Sequence, residues 1–140
     1  MDCLFCRIID GALPAQVVLD EPFLLGFLDT RPVFKGHVLL VPKIHVHTLV
    51  DLPAELLPVV MGAAQRLARA VVDGLGAQGS FVAVNNVVSQ SVPHLHVHVV
   101  PRTKGDGLRG FFWPRTKYAS PDEAQEYAAR LAGALPAPPE

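Results

Sequence analysis

The stretch HLHVHVV, His94 to Val100, decides how this chain is read. Apolar and imidazole side chains alternate at period two, the signature of a strand whose successive side chains face opposite sides of a sheet. Leu95, Val97 and Val99 then point into a core, while His94, His96 and His98 share the other face. The chain has six histidines and places three of them here. Crowding titratable groups on one face carries a cost, so a merely solvated face explains the pattern poorly. One metal ion can take neighbouring members of the three comfortably, but taking both ends would stretch the geometry. At a rise of ~3.3 Å per residue the outer Cα atoms stand about 13 Å apart, while Zn–N bonds are only ~2.0–2.1 Å. A third reading is catalysis by the middle imidazole, with its neighbours managing protons and charge.

Working outward, the remaining histidines, His37, His45 and His47, fall in one earlier window, and His47 reads as an ordinary isolated residue. AQVVLD and FLLGFLDT read as two strands separated by the turn-prone Asp20-Glu21-Pro22, and GHVLLVPK as a third, opened by Gly36 and closed by Pro42. SFVAVNN supplies a fourth, and the histidine stretch makes five. Short connections favour an antiparallel sheet over βαβ units. Between the third and fourth strands, Leu56, Val60, Ala63, Leu67 and Val71 recur at helical spacing. Pro58 marks either a late start or a kink of this helix, and Gly74 is read as its stop. A second helix is signalled by Ser120 as cap, Pro121 at the first helical position and Glu123 closing a capping box. The expectation is an α+β chain, a five-stranded antiparallel sheet with two helices, forming one domain over residues 1–135 with a disordered tail at 136–140.

Bulk properties narrow the class. Half the residues are hydrophobic and 18% charged, ordinary for a globular protein. A formal net charge of -1 offers no general argument for a nucleic-acid or membrane partner. No stretch approaches the ~18 apolar residues of a membrane span. MDCLFCRIID lacks a basic region followed by an apolar one, so no secretory leader is read there. A cytoplasmic protein is expected.

SQSVPHLHVHVVPR resembles the signature of the histidine triad (HIT) superfamily, His-φ-His-φ-His-φ-φ with φ apolar. The resemblance extends to CLFCRIIDGALPAQVVLDEPFLLGFLDTRPVFKGHVLLVPKIH and covers residues 3 to 113. Its members are nucleotide hydrolases or transferases, usually homodimers, with a five-stranded antiparallel sheet and two helices in each protomer. By position, the resemblance implies that His96 is a nucleophile attacking the α-phosphorus of a nucleotide to form a nucleotidyl-histidine. Imidazole, with an ordinary pKa near 6.5, suits that task because a large share is neutral at pH 7. His98 matches the residue that bonds the phosphate and helps protonate the departing group, and His37 the histidine that supports the site from the side. Gln90 and Ser91 match a pair contacting phosphate oxygens, and Asn85 or Asn86 an asparagine on the neighbouring strand. The loop from there to Gln90 is shorter than the family pattern and lacks its glycines. Leu4, Phe5 and Ile8 match the apolar wall for the base, with Phe27 nearby, although simple core packing accounts equally well for their hydrophobicity. Asp29 matches the carboxylate that takes the ribose hydroxyls. The implied function is hydrolysis at the α-phosphate of an adenine-containing nucleotide, with a dinucleoside polyphosphate as first substrate class. The alternatives are a nucleoside phosphoramidase and a slow-turnover nucleotide-binding module.

Cys3 and Cys6 have Cys-x-x-Cys spacing, which alone leaves a redox pair, paired thiols and a zinc half-site all open. The resemblance implies zinc, with His45 and His94 completing the set. Four protein ligands leave no open position, so that zinc would be structural, and His94 would both complete the metal site and begin the catalytic strand. Finally, RTKGDGLRGFFWPRTKY holds Arg102, Lys104, Arg109, Arg115 and Lys117 against the single acid Asp106. This is either a solvated loop or a cationic rim for outer phosphates, with Phe112 or Trp113 covering a base or a dimer partner.

Overall fold

The computed structural model of the chain describes residues 2–108 and 115–138, in two compact units, Met1–Asp106 and Gly107–Glu140. In the first unit, five strands form one antiparallel sheet: β1 (Val17–Asp20), β2 (Leu24–Leu28), β3 (Val38–Pro42), β4 (Gly79–Ala83) and β5 (Val97–Arg102), in the order β1-β2-β3-β5-β4. Two helices accompany it, α1 (Leu4–Ile9) and α2 (Leu57–Leu75).

Both faces of the sheet are covered, which explains why FLLGFL and HVLLVP read as continuous apolar runs rather than alternating ones. Helix α2 lays Val60, Ala63, Ala64, Leu67 and Val71 on one face, against Leu24, Val38, Leu40, Leu95, Val97 and Val99. On the opposite face Cys3 and Phe5 pack with Leu25, Phe27, Leu39 and Val41. Each Val, Leu or Phe side chain so taken from water contributes roughly 1.5–3 kcal/mol, so both layers matter to the fold. The histidine face is therefore an interior face: His94 is 0% and His96 4% exposed.

Besides shorter strands, the main departures from the sequence reading each have a local reason. The β5 ladder begins at Val97, because its pairing with β3 spans only Leu40↔Val97 to Val38↔Val99. Residues 94–96 run on outside the ladder, held by Leu95 N–H donating to the Val46 carbonyl at 2.8 Å. Helix α2 starts late, with Pro58 in its first turn where the missing N–H costs nothing, and it runs through Gly74 to stop at Gly76. Gly76 holds φ 73, and Gly76 and Ala77 donate N–H to the carbonyls of Val72 and Val71 at 3.0 and 3.2 Å, a left-handed helix cap. Helix α1, six residues long, was not anticipated. It is too short to show a period and is stabilised by docking Phe5 rather than by propensity.

Gly36, just before β3, has φ 101, and a Cβ there would collide with the side chain of Leu75 at the end of α2. Gly36→Ala therefore combines backbone strain with overpacking and should cost about 1–3 kcal/mol. Denaturant unfolding measures this, and an unchanged midpoint would contradict the packing described.

In the second unit, α3 (Pro121–Ala134) begins as the sequence predicts: Ser120 Oγ accepts from the Glu123 N–H at 3.2 Å. The reciprocal bond goes to the Ala119 N–H, at 2.8 Å from Glu123 Oε1. Tyr118 folds back onto Tyr127 with ring centroids 5.8 Å apart, and Arg130 lies 4.5 Å over the Tyr127 ring. No helix among the described residues is long and apolar enough to cross a membrane.

Candidate active site and metal centre

Where β3 and β5 lie side by side, the histidine face meets the short helix α1, and hydrogen bonds fix the tautomers of four imidazoles. His96 Nδ1 lies 2.7 Å from the main-chain carbonyl of His94. A carbonyl only accepts, so Nδ1 carries the proton and Nε2 keeps its lone pair. Phe5 packs edge-on against the His96 ring at 5.0 Å between centroids, which limits its rotation.

His98 and His37 form the second half. Val33 N–H donates to His37 Nδ1 at 3.2 Å, so the His37 proton sits on Nε2, which lies 3.0 Å from His98 Nδ1. His98 then accepts at Nδ1 and carries its own proton on Nε2. Asp29 Oδ2 stands 3.7 Å from His37 Nδ1, too far for a hydrogen bond, and Oδ1 accepts from the Arg31 N–H at 2.9 Å. Burial lowers the pKa of His37 despite Asp29, so the contact is not a charged pair at neutral pH. Burial, and behind it His96 and His37, pushes His98 down from 6.5 to about 4. An arriving phosphate anion would favour the charged ring and raise that value toward the range of a proton donor.

This has a consequence for stability. A histidine whose folded pKa lies below its unfolded value holds fewer protons folded than unfolded in the interval between them. Its contribution is whole above about pH 6.5 and is lost as pH falls toward 4. With His98 half-buried and partly screened, the loss should not exceed about 2 kcal/mol. Unfolding of wild type and His98→Asn across pH 7 to 4 tests this: the variant should lose less stability on acidification, and parallel curves would contradict it.

A cavity of about 430 Å³ opens beside His96 and His98, within the size range of small-molecule clefts. It brings together the predicted Leu4, Phe5, Ile8, Phe27, Asp29 and Ser91. Sequence reasoning missed Leu13, Pro14, Ala15, Leu28, Thr30, Arg31, Leu39 and Val92, which also line it. Arg31 alone had a usable signal, its place two residues after Asp29; the others carry no pattern separable from core packing.

Gln90, Asn85 and Asn86 are not among the lining residues. Gln90 accepts from the Val87 N–H at 2.9 Å and donates to the His47 carbonyl at 2.7 Å. Asn86 Oδ1 accepts from the Leu49 N–H at 2.8 Å, and Asn85 is exposed. This short loop bends through positive φ at Val87 (69°) and Ser89 (63°), a conformation strained for a β-branched residue. In the basic stretch, Arg102 forms a two-pronged pair with Asp106 at 2.6 and 3.1 Å, so it is already committed to its own turn. Arg109, Phe112 and Trp113 lie outside the described residues.

The cysteines resolve differently from a redox pair. The sheet is wholly antiparallel, and burial followed by the nearness of Cys3 pushes the Cys6 thiol up, opposite to the activated thiols of redox motifs. Instead, one donor atom each from Cys3, Cys6, His45 and His94 lie within 4.8 Å of one another. His94 Nδ1 is 3.6 Å from both sulfurs and 3.1 Å from His45 Nδ1, which is 3.3 Å from Cys6 Sγ. A tetrahedral ion with Zn–S of ~2.3 Å and Zn–N of ~2.0–2.1 Å separates its ligands by roughly 3.3–3.8 Å. The residues fit such an ion. His94 Nε2 donates to the Pro42 carbonyl at 2.8 Å, leaving Nδ1 free to coordinate and fixing the ring as outer-sphere partners do. Cys3, Cys6, His45 and His94 could thus hold a metal ion without using His96 or His98.

Comparison with known proteins agrees with this architecture. The HIT domain family matches residues 10–105. The adenosine 5'-monophosphoramidase hnt1 of Schizosaccharomyces pombe is 30% identical over 141 aligned positions, 96% of this chain and 99% of that protein. A crystal structure of a HIT family member from Bacillus subtilis superposes with a TM-score of 0.88 at 33% identity, covering 99% of this chain and 100% of that one. A Zn-bound histidine triad family protein from Mycobacterium smegmatis superposes with a TM-score of 0.74 at 36% identity, covering 96% and 99%.

Proposed function

The chain belongs to the HIT domain family, and from that premise we propose that it hydrolyses adenine nucleotides at the α-phosphorus through a nucleotidyl-His96 intermediate. The observation that carries this reading is the tautomer of His96: its proton is held by the His94 carbonyl, so the Nε2 lone pair is the nucleophile. In the first step Nε2 forms a bond to phosphorus, and the bond to the leaving group breaks as that group takes the Nε2 proton of His98, which is charged once the phosphate is bound. In the second, water attacks phosphorus as His98 Nε2 takes its proton, the P–N bond breaks, and both histidines are restored.

Leu4, Phe5, Ile8 and Phe27 hold the base, Asp29 the ribose hydroxyls, and Ser91 the phosphate. Gln90 and one of Asn85 and Asn86 would complete the phosphate contacts, Gln90 after releasing the His47 carbonyl. Cys3, Cys6, His45 and His94 would hold a structural zinc, which ties down the amino-terminal segment. The working form is a homodimer in the cytoplasm.

Two substrate classes fit this chemistry, dinucleoside polyphosphates and nucleoside phosphoramidates. Arg102 is paired with Asp106 rather than held out for distant phosphates. The relative from Schizosaccharomyces pombe bears the name of an adenosine 5'-monophosphoramidase. These observations favour the phosphoramidate, in place of the polyphosphate expected from sequence. A turnover screen decides: kcat/KM for adenosine 5'-phosphoramidate should exceed that for diadenosine polyphosphates by tenfold or more. The reverse order restores the polyphosphate reading. AMP binding with no turnover of either class makes the protein a nucleotide-binding module.

A further inference from the structure

Apart from the thiol cluster, one other group of side chains among the described residues has metal-ligating geometry. Asp29, His37 and His98 each offer a ligand atom, and these lie within 4.8 Å of one another. We propose that these three residues form a second metal site, an inhibitory one, which takes a first-row transition ion such as Zn2+ and excludes nucleotide while occupied.

The donor set is two imidazoles and one carboxylate. Imidazole suits zinc, copper and nickel, whereas Mg2+ prefers an all-oxygen shell. Two nitrogens at ~2.0–2.1 Å from one ion stand roughly 2.9–3.4 Å apart, and His37 Nε2 and His98 Nδ1 are 3.0 Å apart. One shared proton now fills that gap. An entering ion takes its place on His37 Nε2, and the proton moves to His37 Nδ1, which gives up the Val33 N–H and faces Asp29. Both rings are held in the neutral form that a metal requires, since burial lowers the pKa of each.

Access and stoichiometry also separate this site from the thiol cluster. Asp29 and His98 line the cavity, so an ion can arrive by the same route as a nucleotide. Three protein ligands leave positions open for water, unlike the closed set of four. The ion would use the carboxylate assigned to the ribose and the imidazole assigned to the leaving group, so ion and nucleotide oppose each other by the same factor in both directions. That inhibitory half rests on the proposed function. Ion binding rests on the geometry alone.

The test is calorimetric titration of Zn2+ into protein as purified, with total zinc per chain measured alongside, with and without saturating AMP. One equivalent beyond the resident zinc should bind, at least tenfold more weakly in Asp29→Asn and in His37→Gln. An unfolding transition close to wild type shows that each variant folds. AMP should weaken the added equivalent tenfold or more, and millimolar Mg2+ should not compete. In turnover assays the added zinc should raise KM and leave kcat unchanged. No added equivalent, or one whose affinity is the same in a folded Asp29→Asn variant, would overturn the site. So would zinc binding indifferent to AMP that is itself shown to bind. If AMP gives no binding heat at all, the proposed function fails, and the Asp29→Asn comparison alone decides the metal.

Discussion

His96→Ala should lose turnover of adenosine 5'-phosphoramidate by at least about 10⁴-fold, because removing a nucleophile leaves only positioning and electrostatic stabilisation. Binding of AMP should change by less than about tenfold, since base and ribose are held elsewhere in the cavity. The two effects separate because the hydrogen bond that fixes the His96 ring comes from the His94 carbonyl, which is not among the groups assigned to the nucleotide. His98→Ala should be milder and depend on the leaving group. With a good leaving group, protonation matters little and the loss should shrink. Single-turnover rates measure both, and a homogeneous His96→Ala protein with near-normal turnover would end the mechanism.

The second large effect concerns the amino terminus. The protein should carry about one zinc per chain, and Cys3→Ser combined with Cys6→Ser should remove it and lower stability by more than about 3 kcal/mol. Cys3 directly precedes α1, the helix that supplies Leu4, Phe5 and Ile8 to the cavity. Loss of the metal should therefore raise KM more than it lowers kcat when turnover is measured below the unfolding temperature. Metal analysis and thermal unfolding check the first half, steady-state kinetics the second. Unchanged zinc content in the double variant would refute the assigned ligands. Activity that vanishes at once on chelation, with the fold intact, and returns in proportion to zinc would make the metal catalytic.

What the sequence disclosed follows from which physical signals are periodic. The alternation at residues 94–100 is legible because a sheet sorts side chains at period two, and it correctly separated Leu95, Val97 and Val99 from the histidines. It could not show that the histidine face is interior, because what covers that face is Phe5, some ninety residues away in sequence. Helix α1 escaped for the same reason: six residues hold fewer than two turns, so its helicity depends on docking. Gly74 and Gly76 are equally good stops on paper, and only the left-handed turn at Gly76 distinguishes them. Within the site, chemistry-bearing residues were easier to find than lining ones. Leu13, Pro14 and Ala15 have no titratable group and no period, so nothing marks them until the chain is folded. Gln90 and Asn86 show the opposite limit. The family resemblance implied phosphate contacts for them, and nothing in the sequence signalled the hydrogen bonds each also makes to loop backbone.

The central claim is a covalent nucleotidyl enzyme, and the stereochemical course at phosphorus tests it most directly. A phosphoramidate substrate carrying sulfur on the α-phosphorus in one known configuration would be hydrolysed in heavy-oxygen water, and the configuration of the product determined. Attack by His96 and then by water comprises two in-line displacements, each inverting, so the account predicts net retention. Net inversion would mean that water attacks the substrate directly, and would contradict the account.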